Sequence, residues 1–418
     1  MSNNSKGSKG KSYPVLIVGA GMAGLACAFT LHRAGIPFLI FDRGNDVGGR
    51  VRTDEVDGYR LDRGFQVLLT AYPEAQRFLD YEKLNLQACY PGSKVWFENR
   101  FHRVADPFRH PIDGVKSLLT PIGSLGDKLR VGMMRMGLLS SRTMTDDCST
   151  INALDHMGFG NSMINRFWKP FMRGVFLENE LSTTIRKFEE TFRFFSKGDT
   201  VLPKKGIGEI PRQLAGQLPR EHILLETEIS KVDSNSVESS DGAKWEGRAV
   251  VLATEDYHAN QLLGIGKGHA EWNSVVCLYF SLAVDDLPSD ERILYLDGTG
   301  NGPINNLTFV STLCDCAPVG QALASVSVIG KKELDIQEIA NQAKEQLTEW
   351  FGEKAEGWKY LKGYRIHQAV PSCPVPPSPK PSLTEVYRCG DYFGLPSIDS
   401  AMKSGRITAE HIIQEFKS

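Results

Sequence analysis

A glycine-rich turn near the amino terminus constrains the fold more than any other feature of this sequence. It reads Gly19-Ala20-Gly21-Met22-Ala23-Gly24, and it lies between an apolar run at 13–18 and a second one at 25–31. A strand, a glycine turn and a helix in this order are typical of a Rossmann-like nucleotide-binding unit. Gly19 allows the tight turn, Gly21 lets a pyrophosphate approach bare backbone, and Gly24 lets helix and strand pack closely. The whole turn is therefore predicted to bind a dinucleotide.

An acidic residue follows the next predicted strand. Asp42 comes directly after the apolar run 38–41, eighteen residues beyond Gly24. A carboxylate at this place accepts hydrogen bonds from ribose hydroxyls and repels a 2′-phosphate. The adjacent Arg43 is included in the predicted cofactor-binding set.

Two motifs after Asp42 indicate which dinucleotide is bound. The first contains Gly48-Gly49-Arg50, and the second reads Asp62-Arg63-Gly64-Phe65. Both resemble motifs of the flavin amine oxidase, protoporphyrinogen oxidase and phytoene desaturase superfamily. The resemblance implies FAD as the cofactor. The paired glycines would admit the pyrophosphate, Arg50 would supply a counter-charge to the phosphates, and Gly64 and Phe65 would lie beside the flavin ring.

Two more blocks extend the family resemblance. Near the carboxyl terminus the sequence contains Gly390-Asp391 and then the start of a predicted helix at Ile398. By resemblance, Asp391 binds the ribityl or phosphate region, and the helix that Ile398 opens directs its positive end toward the pyrimidine edge of the flavin. Residues 223–232 and 249–254 resemble a strand pair that contacts adenine through main-chain atoms. This resemblance adds Ile229 and Ala253 to the cofactor-binding set.

The positions of these blocks along 418 residues predict two interleaved domains, because so long a chain exceeds one ordinary core. The predicted fold class is α/β, with a Rossmann-like doubly wound FAD-binding domain and a mixed α+β substrate domain. Residues 13–75, 200–262 and 384–418 would form the first domain, and residues 76–199 and 263–383 the second. Residues 1–12 are expected to be a disordered tail. The proline-rich run 370–381 is expected to be an extended crossing between the domains.

The two insertions that form the predicted substrate domain differ in pattern. Residues 263–383 contain apolar runs typical of strands at 274–282, 306–310 and 322–329, and helical periodicity at 336–351. Residues 125–139 predict a helix with Leu125, Leu129, Met133 and Met136 on one face. Two interpretations of that face stay open: packing within its own domain, or a channel lip or membrane-surface patch. Residues 167–176 resemble a segment of the desaturase-like branch, and Phe171 and Arg173 are candidate substrate contacts.

The predicted chemistry depends on the loop before the final helix. In flavin amine oxidases this loop supplies an aromatic wall for the substrate amine, but here it carries Ser397, while Tyr392 and Phe393 lie earlier. Ser397 and Tyr392 are candidate substrate contacts, and no catalytic residue is assigned. In hydride removal from carbon the flavin carries the difficult chemical step, so the protein has mainly to align the substrate and exclude water. We therefore predict an FAD-dependent oxidoreductase that desaturates or redox-isomerises an apolar isoprenoid or polyene substrate. The alternatives are an amine oxidase, a protoporphyrinogen-type oxidase and a non-catalytic flavoprotein.

The net charge and the cysteine pattern limit which binding partners and which cellular compartment are expected. A net charge of −2 disfavours nucleic-acid binding, so a small hydrophobic molecule is the expected partner, with peripheral membrane contact as an alternative. The eight cysteines are scattered, which is typical of a reducing compartment, and a cytoplasmic location is expected. No metal site is predicted, and the oligomeric state stays open. By resemblance, no cysteine lies where covalently flavinylated relatives attach their ring, so FAD is expected to be noncovalent.

Overall fold

The computed structural model describes residues 15–139, 144–266, 271–330, 333–373 and 386–417. The predicted tail at 1–12 and most of the proline-rich run lie outside these ranges. The strands are β1 (Val15–Val18), β2 (Phe38–Phe41), β3 (Thr53–Val56), β4 (Tyr59–Asp62), β5 (Leu68–Leu69), β6 (Leu86–Ala88), β7 (Gly92–Phe97), β8 (Arg100–Ala105), β9 (Thr200–Pro203), β10 (Ile223–Leu224), β11 (Ile229–Val232), β12 (Ser236–Ser239), β13 (Lys244–Glu246), β14 (Ala249–Leu252), β15 (Trp272–Ala283), β16 (Leu294–Asp297), β17 (Ile304–Phe309), β18 (Gln321–Ile329), β19 (Lys359–Pro371) and β20 (Tyr387–Arg388). The helices are α1 (Met22–Arg33), α2 (Pro73–Phe78), α3 (Tyr81–Leu84), α4 (Pro111–Leu118), α5 (Leu125–Arg135), α6 (Thr150–His156), α7 (Asn161–Met163), α8 (Lys169–Phe176), α9 (Ile185–Lys197), α10 (Glu209–Ala215), α11 (Asp256–Leu263), α12 (Ile336–Phe351), α13 (Glu353–Glu356) and α14 (Ile398–Lys417), with one π-helical turn at Ile164–Trp168.

A parallel sheet carries the glycine turn. Within the described ranges it has five strands in the order β10-β2-β1-β14-β20, so the chain winds outward from β1 in both directions. Strands β1, β2 and β14 are buried along their whole length, because both faces of the sheet are covered. Helices α1 and α14 cover one face, and the β11-β12-β13 sheet and α11 cover the other. This is the Rossmann-like architecture that the sequence predicted.

One predicted element differs from the structure. Residues 223–232 were expected to act as one strand block, but they are divided between two sheets. Strand β10 joins the parallel sheet, while β11 pairs antiparallel with β12. The chain turns between them at Glu226, which has a φ of 51°, and the Thr227 amide donates to the Asp42 carbonyl oxygen at 2.8 Å. This turn carries Ile229 off the parallel sheet.

A larger mixed sheet lies beside the parallel one. In the described part of the chain it has seven strands in the order β19-β15-β18-β17-β16-β7-β8. Strands β7 and β8 come from residues 76–199, and the other strands come from residues 263–383. Helix α12, which has the bounds predicted from periodicity, packs on one face through Ile339, Ala343 and Leu347. The opposite face borders the cavity described below. The exact domain limits stay a prediction.

The helix predicted at 125–139 is shorter in the structure. Helix α5 ends at Arg135, and Gly137 follows it with a φ of 72° that stops the helix. Its apolar face does not pack within the domain, because Leu125 and Leu129 are 60% and 67% exposed. No helix in the described ranges is long and apolar enough to cross a membrane.

Candidate functional site

The glycine turn forms a cradle that is closed on one side and open on the other. Gly19 has a φ of 109°, and an added Cβ there would lie 2.7 Å from the Ala253 carbonyl oxygen. An added Cβ on Gly24 would lie 2.0 Å from the Gly19 carbonyl oxygen. Gly21 caps the amino terminus of α1, and an added Cβ there would have no atom within 4 Å. The bare surface at Gly21 and the helix terminus behind it fit a pyrophosphate.

The predicted ribose ligand is held in place by backbone amides. The Asp42 carboxylate accepts hydrogen bonds from the amides of Ala20 and Gly44, each at 2.7 Å. Each carboxylate oxygen keeps a further lone pair, so the side chain can still accept ribose hydroxyls. Asp42 and Arg43 line the same cleft as Gly21 and Gly49.

The far end of the cleft is lined by two residues that the sequence predicted and by one that it did not. The predicted residues Ile229 and Ala253 lie on the cleft wall. His258 lies on the same wall. Burial, reinforced by the positive charge of Arg43, lowers the pKa of His258. Nothing in the local sequence around His258 indicates that α11 faces this cleft, so only the structure places this histidine there.

Arg50, which is partly exposed, and the buried Asp391 form an ion pair that the sequence did not predict. The guanidinium donates two hydrogen bonds to the carboxylate, at 2.7 and 3.0 Å, and a third to the Ala369 carbonyl oxygen at 3.0 Å. It also lies 5.1 Å from the centre of the Trp272 ring. Burial lowers the pKa of Arg50, but the charge and hydrogen bonds of Asp391 outweigh burial, so its pKa is raised. The pair joins the Gly-Gly-Arg block to the Gly-Asp block.

The amino terminus of α14 faces the cavity between these blocks. Ser397 accepts a hydrogen bond from the Ser400 amide at 3.0 Å, and both Ser397 and Ile398 line the cavity. The next residue, Asp399, accepts from the amides of Glu74 and Ala75 at 2.8 and 3.2 Å. Burial raises the pKa of Asp399 to about 6. These bonds fix the start of α14 against α2.

A cavity of about 840 Å³ runs from the glycine cradle to helices α4 and α5. Its wall is mainly apolar. Helix α8 and the turn before it contribute Phe167 and Phe171, whose rings stack with centroids 5.6 Å apart. The mixed sheet contributes Leu294 and Leu296, and the two phenylalanine rings pack against the apolar cluster around Leu296. The volume includes the cleft that the cofactor would occupy, because Gly21, Asp42 and Gly49 are among its lining residues.

The four candidate substrate contacts do not all reach this cavity. Phe171 and Ser397 lie on its wall. Arg173 instead donates to the Asn179 side chain at 2.7 Å, because it lies on another face of α8. Tyr392 is packed with its ring 5.8 Å from the Arg388 guanidinium. Neither Arg173 nor Tyr392 is among the residues that border the cavity.

A buried lysine on the cavity wall was missed by the sequence reasoning. Lys187 on α9 is 7% exposed, and its Nζ lies 3.7 Å from Glu190 Oε2. Burial lowers the pKa of Lys187, and the charge of Glu190 partly opposes that effect. Only the packing of α9 against the cavity distinguishes this lysine from a surface one. Among the described residues no cluster of histidine, cysteine and acidic side chains could hold a metal ion.

Cys373 also borders the cavity, so the expectation that no covalent bond joins a cysteine to the flavin can be tested at this residue. Acid precipitation of the yellow protein is expected to release all flavin absorbance into the supernatant. Burial raises the pKa of Cys373 to about 11, so its thiol is protonated near neutral pH and is a poor nucleophile. Colour that stays with the precipitate, and that the Cys373→Ser variant then releases, would show a covalent bond and contradict this expectation.

The match to a known family covers nearly the whole chain. A family profile described as flavin containing amine oxidoreductase matches residues 22–413. The chain belongs to this family. The predictions of an FAD cofactor and of a flavin-containing oxidoreductase are thereby confirmed at the level of the family. The open cradle at Gly21 and the orientation of Asp42 fit that cofactor.

Individual relatives cover only part of the chain. Over 100 residues it is 31% identical to phytoene desaturase of Neurospora crassa, which is 22% of this chain and 17% of that protein. Over 164 residues it is 24% identical to protoporphyrinogen oxidase 2 of Arabidopsis thaliana, which is 38% of this chain and 32% of that protein. The matches span about a third or less of each relative, so they do not decide the substrate.

Solved structures share the fold. Putrescine oxidase with putrescine bound gives a TM-score of 0.71 at 15% identity, covering 97% of this chain and 99% of that one. A putative protoporphyrinogen oxidase from Exiguobacterium sp. gives a TM-score of 0.70 at 15% identity with the same coverage. Similarity at this level of identity shows the architecture and confirms the predicted α/β fold class.

Proposed function

We propose that this member of the family removes hydride from carbon in an apolar substrate, either desaturating or redox-isomerising an isoprenoid or polyene chain. The observation that carries the proposal is the continuous, mainly apolar cavity between the cofactor cradle and the α4–α5 surface. A long hydrocarbon would occupy such a space without leaving buried polar groups of its own unpaired.

The cavity wall provides what this reaction requires of the protein. Bound FAD supplies the hydride acceptor, so the protein must mainly align the substrate and exclude water. The stacked rings of Phe167 and Phe171 cover one side with rigid apolar surface. Lys187 and Glu190 are an ionisable pair beside the cavity that can hold a proton.

The same site is less suited to an amine. An amine held by cation–π contacts needs aromatic faces beside it, but the loop before α14 presents Ser397 there. The nearest aromatic residues of that loop, Tyr392 and Phe393, pack on each other with centroids 4.6 Å apart and do not border the cavity.

Anaerobic reduction of the flavin tests the substrate class. Phytoene or squalene in dilute detergent is expected to bleach the flavin, whereas putrescine and benzylamine at low millimolar concentration are expected to leave its spectrum unchanged. The variant Phe171→Asn places a polar amide on the apolar wall and should weaken polyene binding about tenfold. Val319→Asn, at a fully exposed valine, is the control. Rapid reduction by either amine would contradict the proposal, and so would the finding that no isoprenoid either reduces the flavin or is converted to an isomer.

Apolar substrates would reach the cavity from an exposed surface on α4 and α5, which we call the α4–α5 patch. It comprises exposed apolar side chains on the two helices and just beyond them: Ile112, Val115, Leu118, Leu119, Leu125, Leu129, Met133, Met136 and Leu138. Lys128 donates to the carbonyl oxygens of Leu118 and Thr120 at 2.9 and 2.7 Å, which ties the two helices together. Lys116 on α4 is exposed beside this surface, with its Nζ 3.9 Å from Asp113 Oδ1. Contiguous apolar surface with cations suits an anionic lipid headgroup layer.

Cosedimentation with vesicles checks this surface. The protein is expected to pellet partly with phosphatidylserine-containing vesicles at low salt and less with phosphatidylcholine vesicles. The double variant Leu119→Gln/Leu129→Gln should abolish pelleting without unfolding, because both side chains are already exposed, at 87% and 67%. Val284→Gln, at an exposed valine outside the patch, should pellet like the wild type. Equal pelleting of all three proteins would exclude the patch as the contact.

A further inference from the structure

The mixed sheet presents two unpartnered hydroxyl groups to the apolar cavity. Ser93 on β7 and Thr308 on β17 are 1% and 3% exposed, and both border the cavity. Neither hydroxyl oxygen has a hydrogen-bond partner among the described residues. A buried hydroxyl without a partner costs about 1–3 kcal/mol, so a protein that keeps two of them on one wall satisfies them with something that occupies the cavity.

Strand alternation places both side chains on the cavity face. Leu307 and Phe309, the neighbours of Thr308, pack in the core under α12, so Thr308 points the other way. On β7, Trp96 lies in the α12 core, while Ser93 and Val95 share the opposite face. The register pairs Ser93 with Leu294 on β16, and the pairing of β16 with β17 continues that row to Thr308. The two hydroxyls are thus two strands apart, roughly 10 Å.

A second polar row lies beside the first. Asn306 and Ser327 are each 4% exposed and also border the cavity. The Asn306 amide donates to Ser327 Oγ at 3.3 Å, and its oxygen accepts from the Asn305 amide at 2.9 Å. These bonds hold the Asn306 amide at the wall with one N–H still available. The cavity face of the sheet therefore carries polar side chains beside the apolar Leu294 and Leu296.

We propose that Ser93, and separately Thr308 with Asn306, form a subsite with two contact points for hydroxyl or carbonyl oxygens on an otherwise apolar substrate. The inference rests on the proposed function and narrows its substrate class from hydrocarbons to oxygenated terpenoids or related molecules. Hydroxyl groups both donate and accept hydrogen bonds, so the subsite suits an alcohol or a ketone. If a water molecule is bound to these groups, the site should still prefer an oxygenated ligand. An alcohol or ketone can replace the hydrogen bonds of the displaced water, whereas a hydrocarbon cannot.

Matched ligand pairs test the subsite by binding alone. The pairs are farnesol with 2,6,10-trimethyl-2,6,10-dodecatriene, which lacks only the hydroxyl, and carvone with limonene, which has a methylene in place of the carbonyl. Their binding to the FAD-loaded protein is measured by perturbation of the flavin spectrum. The wild type is expected to bind the oxygenated member at least about fivefold more tightly in one pair. The variants Ser93→Ala and Thr308→Val should together remove that preference, and Thr308→Val should not weaken binding of the hydrocarbon.

Ser325→Ala is the matched control. Ser325 is buried on the same sheet face, but it is bonded to Cys277 Sγ at 3.5 Å and does not border the cavity. Equal affinity for both members of each pair, no binding of any member, or a preference that survives in the double variant would each overturn the subsite. Flavin bleaching is recorded separately. A preference for the oxygenated ligand without bleaching would support the subsite and count against the proposed reaction. Bleaching by the hydrocarbons without such a preference would support the reaction and overturn the subsite.

Discussion

Gly21→Val is expected to give a folded but colourless protein. Gly21 has a φ of −74°, which valine adopts readily, and an added Cβ would meet no atom within 4 Å. The apoprotein should therefore fold normally. The isopropyl group would instead occupy the bare surface that faces the pyrophosphate, and close approach of backbone to phosphate is what this position provides. Far-UV circular dichroism should match the wild type, while flavin absorbance after purification should fall by more than about tenfold.

Two other glycine variants sharpen this test. Gly24→Val should fail to fold, because its Cβ would lie 2.0 Å from the Gly19 carbonyl oxygen. Gly357→Val should keep full flavin occupancy, since Gly357 has a φ of −73° and an added Cβ would lie no closer than 3.6 Å to the Lys354 carbonyl oxygen. Full flavin occupancy in Gly21→Val would show that the cradle is wrongly assigned.

Arg50→Met is expected to destabilise the apoprotein by about 3 kcal/mol and to abolish FAD binding. Loss of the guanidinium leaves the Asp391 carboxylate buried and without its cation, which typically costs about 3–5 kcal/mol. The lower end applies here, because the Arg50 side chain keeps 29% of its surface exposed toward the cavity. Urea denaturation of the apoprotein measures the free energy of unfolding, and FAD titration measures the loss of the cofactor.

The double variant Arg50→Met/Asp391→Asn distinguishes the effect of the ion pair on stability from the effect of Arg50 on FAD binding. Removing both charges should restore much of the lost stability, because no unpaired carboxylate remains buried. It should not restore FAD binding. Lys231→Met, which breaks the exposed pair of Lys231 with Glu238, is the control and should leave the unfolding transition close to that of the wild type. An Arg50→Met apoprotein as stable as the wild type would contradict the structural role of the pair.

The cofactor cradle was predictable from the sequence because its determinants are local. The conformation of Gly19 and the contact between Gly24 and Gly19 involve residues a few positions apart, and the spacing to Asp42 follows from one helix and one strand. Helix α12 was predictable for a similar reason, since its apolar positions repeat with helical spacing over sixteen residues. The family profile confirms the flavin cofactor that these motifs implied.

Tertiary structure decided what lies opposite the cofactor. Arg50 and Asp391 are 341 positions apart in the sequence, and no local pattern pairs them. Lys187 reaches the cavity only because of the way α9 packs, and the rotation of α8 turns Arg173 away from it toward Asn179. Ser93 and Thr308 come together because β7 and β17 flank β16 in one sheet. Local sequence therefore determined the nucleotide turn through backbone geometry, whereas the composition of the substrate cavity depended on which distant strands and helices the fold made neighbours.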